Sequence, residues 1–389
     1  MNRSPHPEPA APTPDPTTPG PSRRRFLAGA ALTGAGLALG TTGVARAAQA
    51  RPAAAGFRVP AEDVRHTRTW MAWPDSTGIW GGRLSGVQAD IALIARTIAA
   101  YEPVVLCANP GAAARARSLC GPAVTVLTTI PVDDCWARDT GPVFRTDGAG
   151  RLDAIGLGFN GWGGKQTHAK DALVAGRVAA WAGVPFSTAG LVGEGGAVEQ
   201  DGAGTLMATR SSLVNRNRNP GLSEARITEA LRTAYGADRV IWFDGVRGQD
   251  ITDDHVDATS RFVTPGRAVV QMPLSTDTDA YAEDARAQYR TLTGAGDGQG
   301  GAMTVERLQG PDYAKIRSRN PDFLASYVNH YVCNGAVIAA QFGDTRADAA
   351  AKAVLARLYP GRTVVQLDID RLGTGGGGIH CVTQQQPVP

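Results

Sequence analysis

Short apolar runs alternate with longer amphipathic ones along most of this chain. Residues 69–73 form a compact apolar run that predicts a strand. Residues 87–100 carry apolar side chains at helical spacing, and residues 104–107 predict a second strand. The pattern recurs at 154–159, 169–182 and 184–187. It recurs again at 205–209, a helix opening on the N-cap Ser223 and closing at Gly236, and 240–243. Residues 255–263 and 268–272 predict a hairpin turning at Pro265-Gly266. A helix near 280–292 and a strand at 303–308 follow. The last repeat runs through 326–332, 336–341, a helix near 345–358 and a strand at 363–367. These are about five strand–helix–strand units of roughly 40–60 residues, a spacing that suggests a radial array. Periodicity alone leaves a doubly wound sheet nearly as good a reading.

Several polar stretches fall between the units rather than inside them. Trp136-Ala137-Arg138-Asp139 precedes the second unit, and Glu194-Gly195-Gly196 lies between the second and third. Asp253-Asp254-His255-Val256-Asp257 opens the fourth, and Asn329 opens the fifth. The run 373–378, five glycines in six positions, leads into Ile379-His380-Cys381. Units arranged around an axis bring their junctions together, so five distant stretches would line one pocket. Glycines permit positive φ and close approach to a ligand. Such a run is well suited to placing the Cys381 thiol at the floor of a pocket. On a strand, His255 and Asp257 would face one side, giving a proton shuttle beside a cation-binding carboxylate. His380 is the competing base, expected to point away from the pocket. Trp136, Trp162 and Trp73 are candidates for an apolar wall. His6, His66, His168 and His330 show no partner pattern. The acid pair Asp253-Asp254 has the look of a solvated run.

Composition removes several alternatives. The 389 residues are 43% hydrophobic with a net charge of +3, enough for a large core and without the basic footprint of a nucleic-acid binder. The glycine run lacks a Gly-Lys-Ser/Thr ending and opens no helix, which argues against a phosphate loop. No CxxC or HExxH pattern suggests a metal site. The other cysteines, Cys107, Cys120, Cys135 and Cys333, read as buried and inert, with a Cys107–Cys120 disulfide left open. Residues 1–21 are Pro- and Thr-rich and read as disordered. Ser22-Arg23-Arg24-Arg25-Phe26-Leu27, a weakly apolar Gly/Ala run and Ala45-Arg46-Ala47 predict a twin-arginine export signal cut after Ala47. A membrane anchor is the competing reading, but the run is too weakly hydrophobic for a stable one. Residues 48–389 then form one catalytic domain in an extracellular or periplasmic protein.

These stretches carry a resemblance. From about Trp70 onward the chain resembles the agmatine deiminases and the bacterial, Porphyromonas-type peptidyl-arginine deiminases. It departs from them at Gly378, where that family usually has asparagine. The resemblance implies an α/β five-bladed propeller, the pentein fold. It implies Cys381 as nucleophile, with His255, Glu194, Asp139 and Asp257 as catalytic residues. Asp139, Asp257, Trp136, Asn329 and Gly377 would contact the substrate.

A thiol, an imidazole and several acids suit a planar cation. Asp139 and Asp257 would hold a guanidinium while Cys381 attacks its carbon. His255 would serve the departing ammonia and the incoming water. Glu194 would orient His255 or share the guanidinium. No metal or organic cofactor is required. The expected substrate is agmatine, by the resemblance at 329–344 and Gln384-Gln385. The alternative is an arginine peptide, which export favours. Two other classes are a thiol peptidase or amidase and an exported non-catalytic binder of guanidino ligands. Self-association is left open.

Overall fold

The structure, a computed structural model, describes residues 56–298 and 301–389. Its strands fall into five small sheets. β1 (His66–Ala72), β2 (Val104–Cys107) and β3 (Val124–Leu127) lie in the first, and β4 (Val143–Thr146), β5 (Leu152–Gly156) and β6 (Phe186–Thr188) make the second. The third holds β7 (Val198–Gln200), β8 (Thr205–Thr209) and β9 (Arg239–Phe243). The fourth holds β10 (Ser260–Thr264), β11 (Arg267–Met272) and β12 (Thr304–Gln309), and the fifth β13 (Tyr331–Cys333), β14 (Ala336–Ala340) and β15 (Thr363–Leu367). The last strand, β16 (Gln384–Pro387), pairs antiparallel with β1 and joins the end of the chain to its first sheet.

Every blade repeats one plan. Its first strand is antiparallel to its second, and the second is parallel to its third. In the first blade β16, β1 and β2 take these parts. A helix spans each parallel crossover: Leu84–Ala99, Val174–Ala182, Glu224–Tyr235, Ala280–Thr293 and Thr345–Leu358. Central strands such as β14 and β8 are buried along their whole length, as strands covered on both faces must be. The Glu224–Tyr235 helix shows the local rules at work. The Ser223 hydroxyl accepts from Arg226 N, Gly236 closes the helix at φ 65°, and Ile227 and Leu231 turn inward. This is the five-bladed α/β propeller anticipated from the sequence.

The structure revises several local expectations. Residues 255–258 are not strand: His255 caps a single 3-10 turn, Val256–Ala258, and β10 begins at Ser260. The first strands β4, β7 and β16 carry no apolar run that announces them. Cys107, Cys120, Cys135 and Cys333 are buried and unpaired, so no Cys107–Cys120 bridge forms. Trp73 is fully buried in the main apolar cluster, away from any channel. Among the described residues no helix is long and apolar enough to cross a membrane. The twin-arginine segment lies outside the described residues.

Closure by β16 should carry measurable stability. Its ladder to β1 is reinforced by Trp70 Nε1, which donates to Gln386 Oε1 at 3.0 Å. Deleting residues 384–389 removes several hydrogen bonds of about 1 kcal/mol each and exposes the edge of β1. The expected result in differential scanning calorimetry is a thermal midpoint lower by on the order of 10 °C. An unchanged midpoint would show that ring closure contributes nothing.

Candidate active site

In each blade a candidate side chain lies just ahead of the first strand. Asp139 lies in a short turn ahead of β4, Glu194 ahead of β7, His255 and Asp257 ahead of β10. Asn329 lies ahead of β13, and Cys381 ahead of β16. These junctions meet around a cavity of about 450 Å³ lined by Trp136, Asp139, Trp162, His255, Asp257, Gly377 and Cys381. The sulfur and the imidazole, 126 positions apart in sequence, therefore share one chamber. A back cavity of about 700 Å³, lined by His380 and Glu62 among others, contains no thiol.

Cys381 Sγ accepts from Asn329 Nδ2 at 3.2 Å and lies 3.7 Å from Asp257 Oδ2. Asn329 Oδ1 accepts from His380 N at 3.0 Å and so holds the turn bearing the thiol. Burial pushes the Cys381 thiol well above its usual range, and the Asp257 and Asp139 charges push it further. With no ligand bound, the Cys381 thiol is therefore held in its neutral form. His255 moves the other way. Burial alone would lower it, but Asp139, Glu194 and Asp257 outweigh that and raise it to about 9.

The carboxylates divide into two kinds. Asp139 and Asp257 line the cavity; Glu194 does not. Glu194 is wholly buried, lies 3.4 Å from His255 Nε2, and is held by Arg218 Nε at 2.7 and 2.9 Å. Its placement sets it beside the His255 ring rather than on the cavity wall. Asp139 Oδ1 accepts from Gly196 N at 3.0 Å and Oδ2 from Trp162 Nε1 at 2.9 Å. Asp257 Oδ2 accepts from His380 Nδ1 at 2.8 Å, while its buried Oδ1 has no partner. Asp257 is held below the usual carboxylate range: burial works against this, and His380 and His255 prevail.

The glycines serve space more than φ. In the 373–378 run only Gly376 has positive φ. A Cβ at Gly377 would overlap the Trp136 ring, and one at Gly196 would fall 2.8–3.0 Å from His255, Asp139 and Asp257. At Gly378 a Cβ would meet Asn329 Oδ1 at 2.5 Å. The departure at this position thus matches the place Asn329 occupies here.

Sequence reasoning missed the supporting residues. Arg218 and the Trp162–Asp139 bond gave no signal, because each depends on a distant partner. Asp253 and Asp254, read as a solvated run, are buried with φ of 60° and 69°. Asp253 accepts from Arg218 Nη1 at 2.8 Å and Lys165 Nζ at 2.7 Å. Asp134, also unremarked, accepts from the indoles of Trp80 (2.7 Å) and Trp136 (2.9 Å) and fixes one wall. His66 and His330 are engaged in buried hydrogen bonds elsewhere, with Glu102 and Tyr359. Among the described residues no group of three or more His, Cys, Asp or Glu could hold a metal ion.

Comparison with known proteins agrees with this geometry. The family model of Porphyromonas-type peptidyl-arginine deiminases matches residues 58–387. An agmatine deiminase of Pseudomonas putida is 37% identical over 363 residues, 87% of this chain and 97% of that protein. One of Pseudomonas aeruginosa is 36% identical over 360 residues, with the same coverage. The solved agmatine deiminase of Enterococcus faecalis superposes with a TM-score of 0.80 at 27% identity, covering 86% of this chain and 96% of that one. On its sequence and its pentein fold alike, the chain belongs to the Porphyromonas-type peptidyl-arginine deiminase family.

Proposed function

We propose that this protein hydrolyses the guanidinium group of agmatine to a urea, giving N-carbamoylputrescine and ammonia. The observation that carries the reading is the convergence of Asp139, Asp257, His255 and Cys381 on one cavity, with one oxygen of Asp257, Oδ1, buried and left without a partner. A guanidinium supplies the missing donor and satisfies both carboxylates. The cavity opens on a wider funnel lined by six carboxylates (Asp75, Asp133, Asp134, Asp250, Asp253, Asp322) and three basic side chains. That balance suits a ligand with a second positive charge, as agmatine has. The agmatine deiminases among its relatives point the same way.

Substrate binding starts the chemistry. A guanidinium between Asp139 and Asp257 cancels the charges that add to burial in holding the thiol neutral, and its own positive charge stabilises the thiolate, so the thiol releases its proton to solvent. The thiolate attacks the guanidinium carbon. Protonated His255 gives its proton to one nitrogen, which leaves as ammonia, and a cationic thiouronium remains on Cys381. His255, now neutral, takes a proton from water as water adds to that carbon. The C–S bond breaks as the hydroxyl proton of the adduct passes to the departing sulfur, releasing the neutral urea and restoring the neutral thiol and the imidazolium.

Purified protein assayed for ureido product should prefer agmatine over free arginine and an arginine peptide by on the order of 100-fold in kcat/KM. Cys381→Ala should form none. Ammonia release by Cys381→Ala would overturn the assignment of the nucleophile.

The pH profile tests the role of His255. Its proton is needed for ammonia to leave, so kcat/KM should fall as pH rises through about 9. Glu194 helps raise that value, so Glu194→Gln should move the fall to lower pH. An unmoved alkaline limb would detach Glu194 from His255.

We infer in addition that the enzyme is exported. Arg23-Arg24-Arg25-Phe26-Leu27 and Ala45-Arg46-Ala47 support twin-arginine translocation. N-terminal sequencing of protein from the culture medium or periplasm should begin at Ala48. Full-length protein confined to the cytoplasm would contradict this.

A further inference from the structure

Behind the catalytic cavity lies a cluster of buried charge that the reaction does not use. Glu62, in the segment before β1, reaches the hub and is 9% exposed. Its Oε2 lies 2.9 Å from Arg261 Nη2, 2.9 Å from His380 Nε2 and 3.3 Å from Arg138 Nη2. Its Oε1 accepts from Val332 N at 2.9 Å. One carboxylate thus ties together parts of four blades: the junctions before β4 and β16, strand β10 and strand β13. Glu199 in β7 adds a contact to Arg261 Nε at 2.8 Å.

His380 is the piece that faces both ways. Its Nε2 meets Glu62, and its Nδ1 meets Asp257 Oδ2 at 2.8 Å. The ring lines the back cavity, whereas Asp257 lines the catalytic one. Glu62 is held well below the usual carboxylate range; burial opposes this, and Arg261 and His380 overcome it. Asp257 is lowered in the same way. Two ionised carboxylates only accept, so both contacts are made when both ring nitrogens donate.

We propose that His380, anchored from behind by Glu62, is a positioning residue that fixes Asp257 with Oδ2 turned to the ring and Oδ1 presented to the substrate guanidinium. A carboxylate with a free χ2 could turn either oxygen to the cavity or pair with His255. With Oδ2 tied at 2.8 Å, its plane is set before substrate arrives. Glu62 sets the ring in turn, since a histidine tethered at one nitrogen alone can rotate about its ring axis. His380 thus serves neither as base nor as nucleophile, although it is the chain neighbour of Cys381.

The proposal rests on the guanidinium reading, so binding is measured apart from turnover. In a Cys381→Ala background, titration calorimetry gives the agmatine Kd with and without Glu62→Gln and Asp257→Asn. Glu62→Gln should weaken binding about tenfold, and should add less than about twofold once Asp257→Asn is present. Full additivity of the two, or no effect of Glu62→Gln, would overturn the positioning role. Failure of Cys381→Ala alone to bind agmatine would instead overturn the functional reading beneath it.

A second pair of variants guards against a folding defect in Glu62→Gln. His380→Asn keeps a donor near the place of Nδ1, and His380→Gln keeps one near Nε2. His380→Asn, which keeps a donor to Asp257 but loses the Glu62 anchor, should lose no more than Glu62→Gln does, and His380→Gln, which loses the Asp257 contact itself, should lose more, at matched thermal midpoints. Equal losses in both would show that His380 only fills space.

Discussion

The structure depends on how it shelters buried carboxylates around one sulfur. Taking such groups out of water costs several kcal/mol each unless partners replace the lost hydration. Here nearly every oxygen is answered from inside. Arg218 and His255 meet Glu194, Trp162 and Gly196 meet Asp139, and His380 meets one side of Asp257. The oxygen left over is Asp257 Oδ1, which the proposed guanidinium would satisfy.

That arrangement explains why the resting thiol is not reactive. Burial pushes the Cys381 thiol upward, and the negative charges that would grip a guanidinium push it further; the same charges raise the His255 imidazole against burial. An enzyme at rest therefore holds a neutral thiol beside a cationic base. Ligand binding reverses the first, since the guanidinium cancels charge at Asp139 and Asp257, while Glu194, outside the cavity and beside His255, still supports the imidazolium. Selectivity and activation then have one origin. A neutral amide would fill the cavity without bringing the charge that frees the sulfur, which argues against peptidase chemistry.

Much of this was legible in the sequence because the repeat placed the junctions, and the junctions carried the chemistry. Strands β2 and β8 fall on the expected residues, and the Ser223 and Gly236 caps are seated as read. What stayed hidden had no local signature. β16 reads Gln-Gln-Gln-Pro and becomes a strand only because β1 presents an open edge. β7 has three residues, too few to show a period. His255 and Asp257 reach the same cavity from a 3-10 turn, so the expected neighbours were right while the strand alternation behind them was not. Arg218, Glu62 and Asp134 needed partners that lie in other blades. The glycine run was read for flexibility, and its main use is to let Trp136 and Asn329 pack against bare backbone.

The central claim is that the substrate's own charge turns the thiol into a nucleophile. Ultraviolet thiolate absorbance, recorded at neutral pH as the difference between the native enzyme and Cys381→Ser, tests it directly when a non-reactive guanidinium ligand is added. The account predicts no thiolate signal in the free enzyme and one thiolate per chain on saturation. A full thiolate signal before any ligand is present would contradict it.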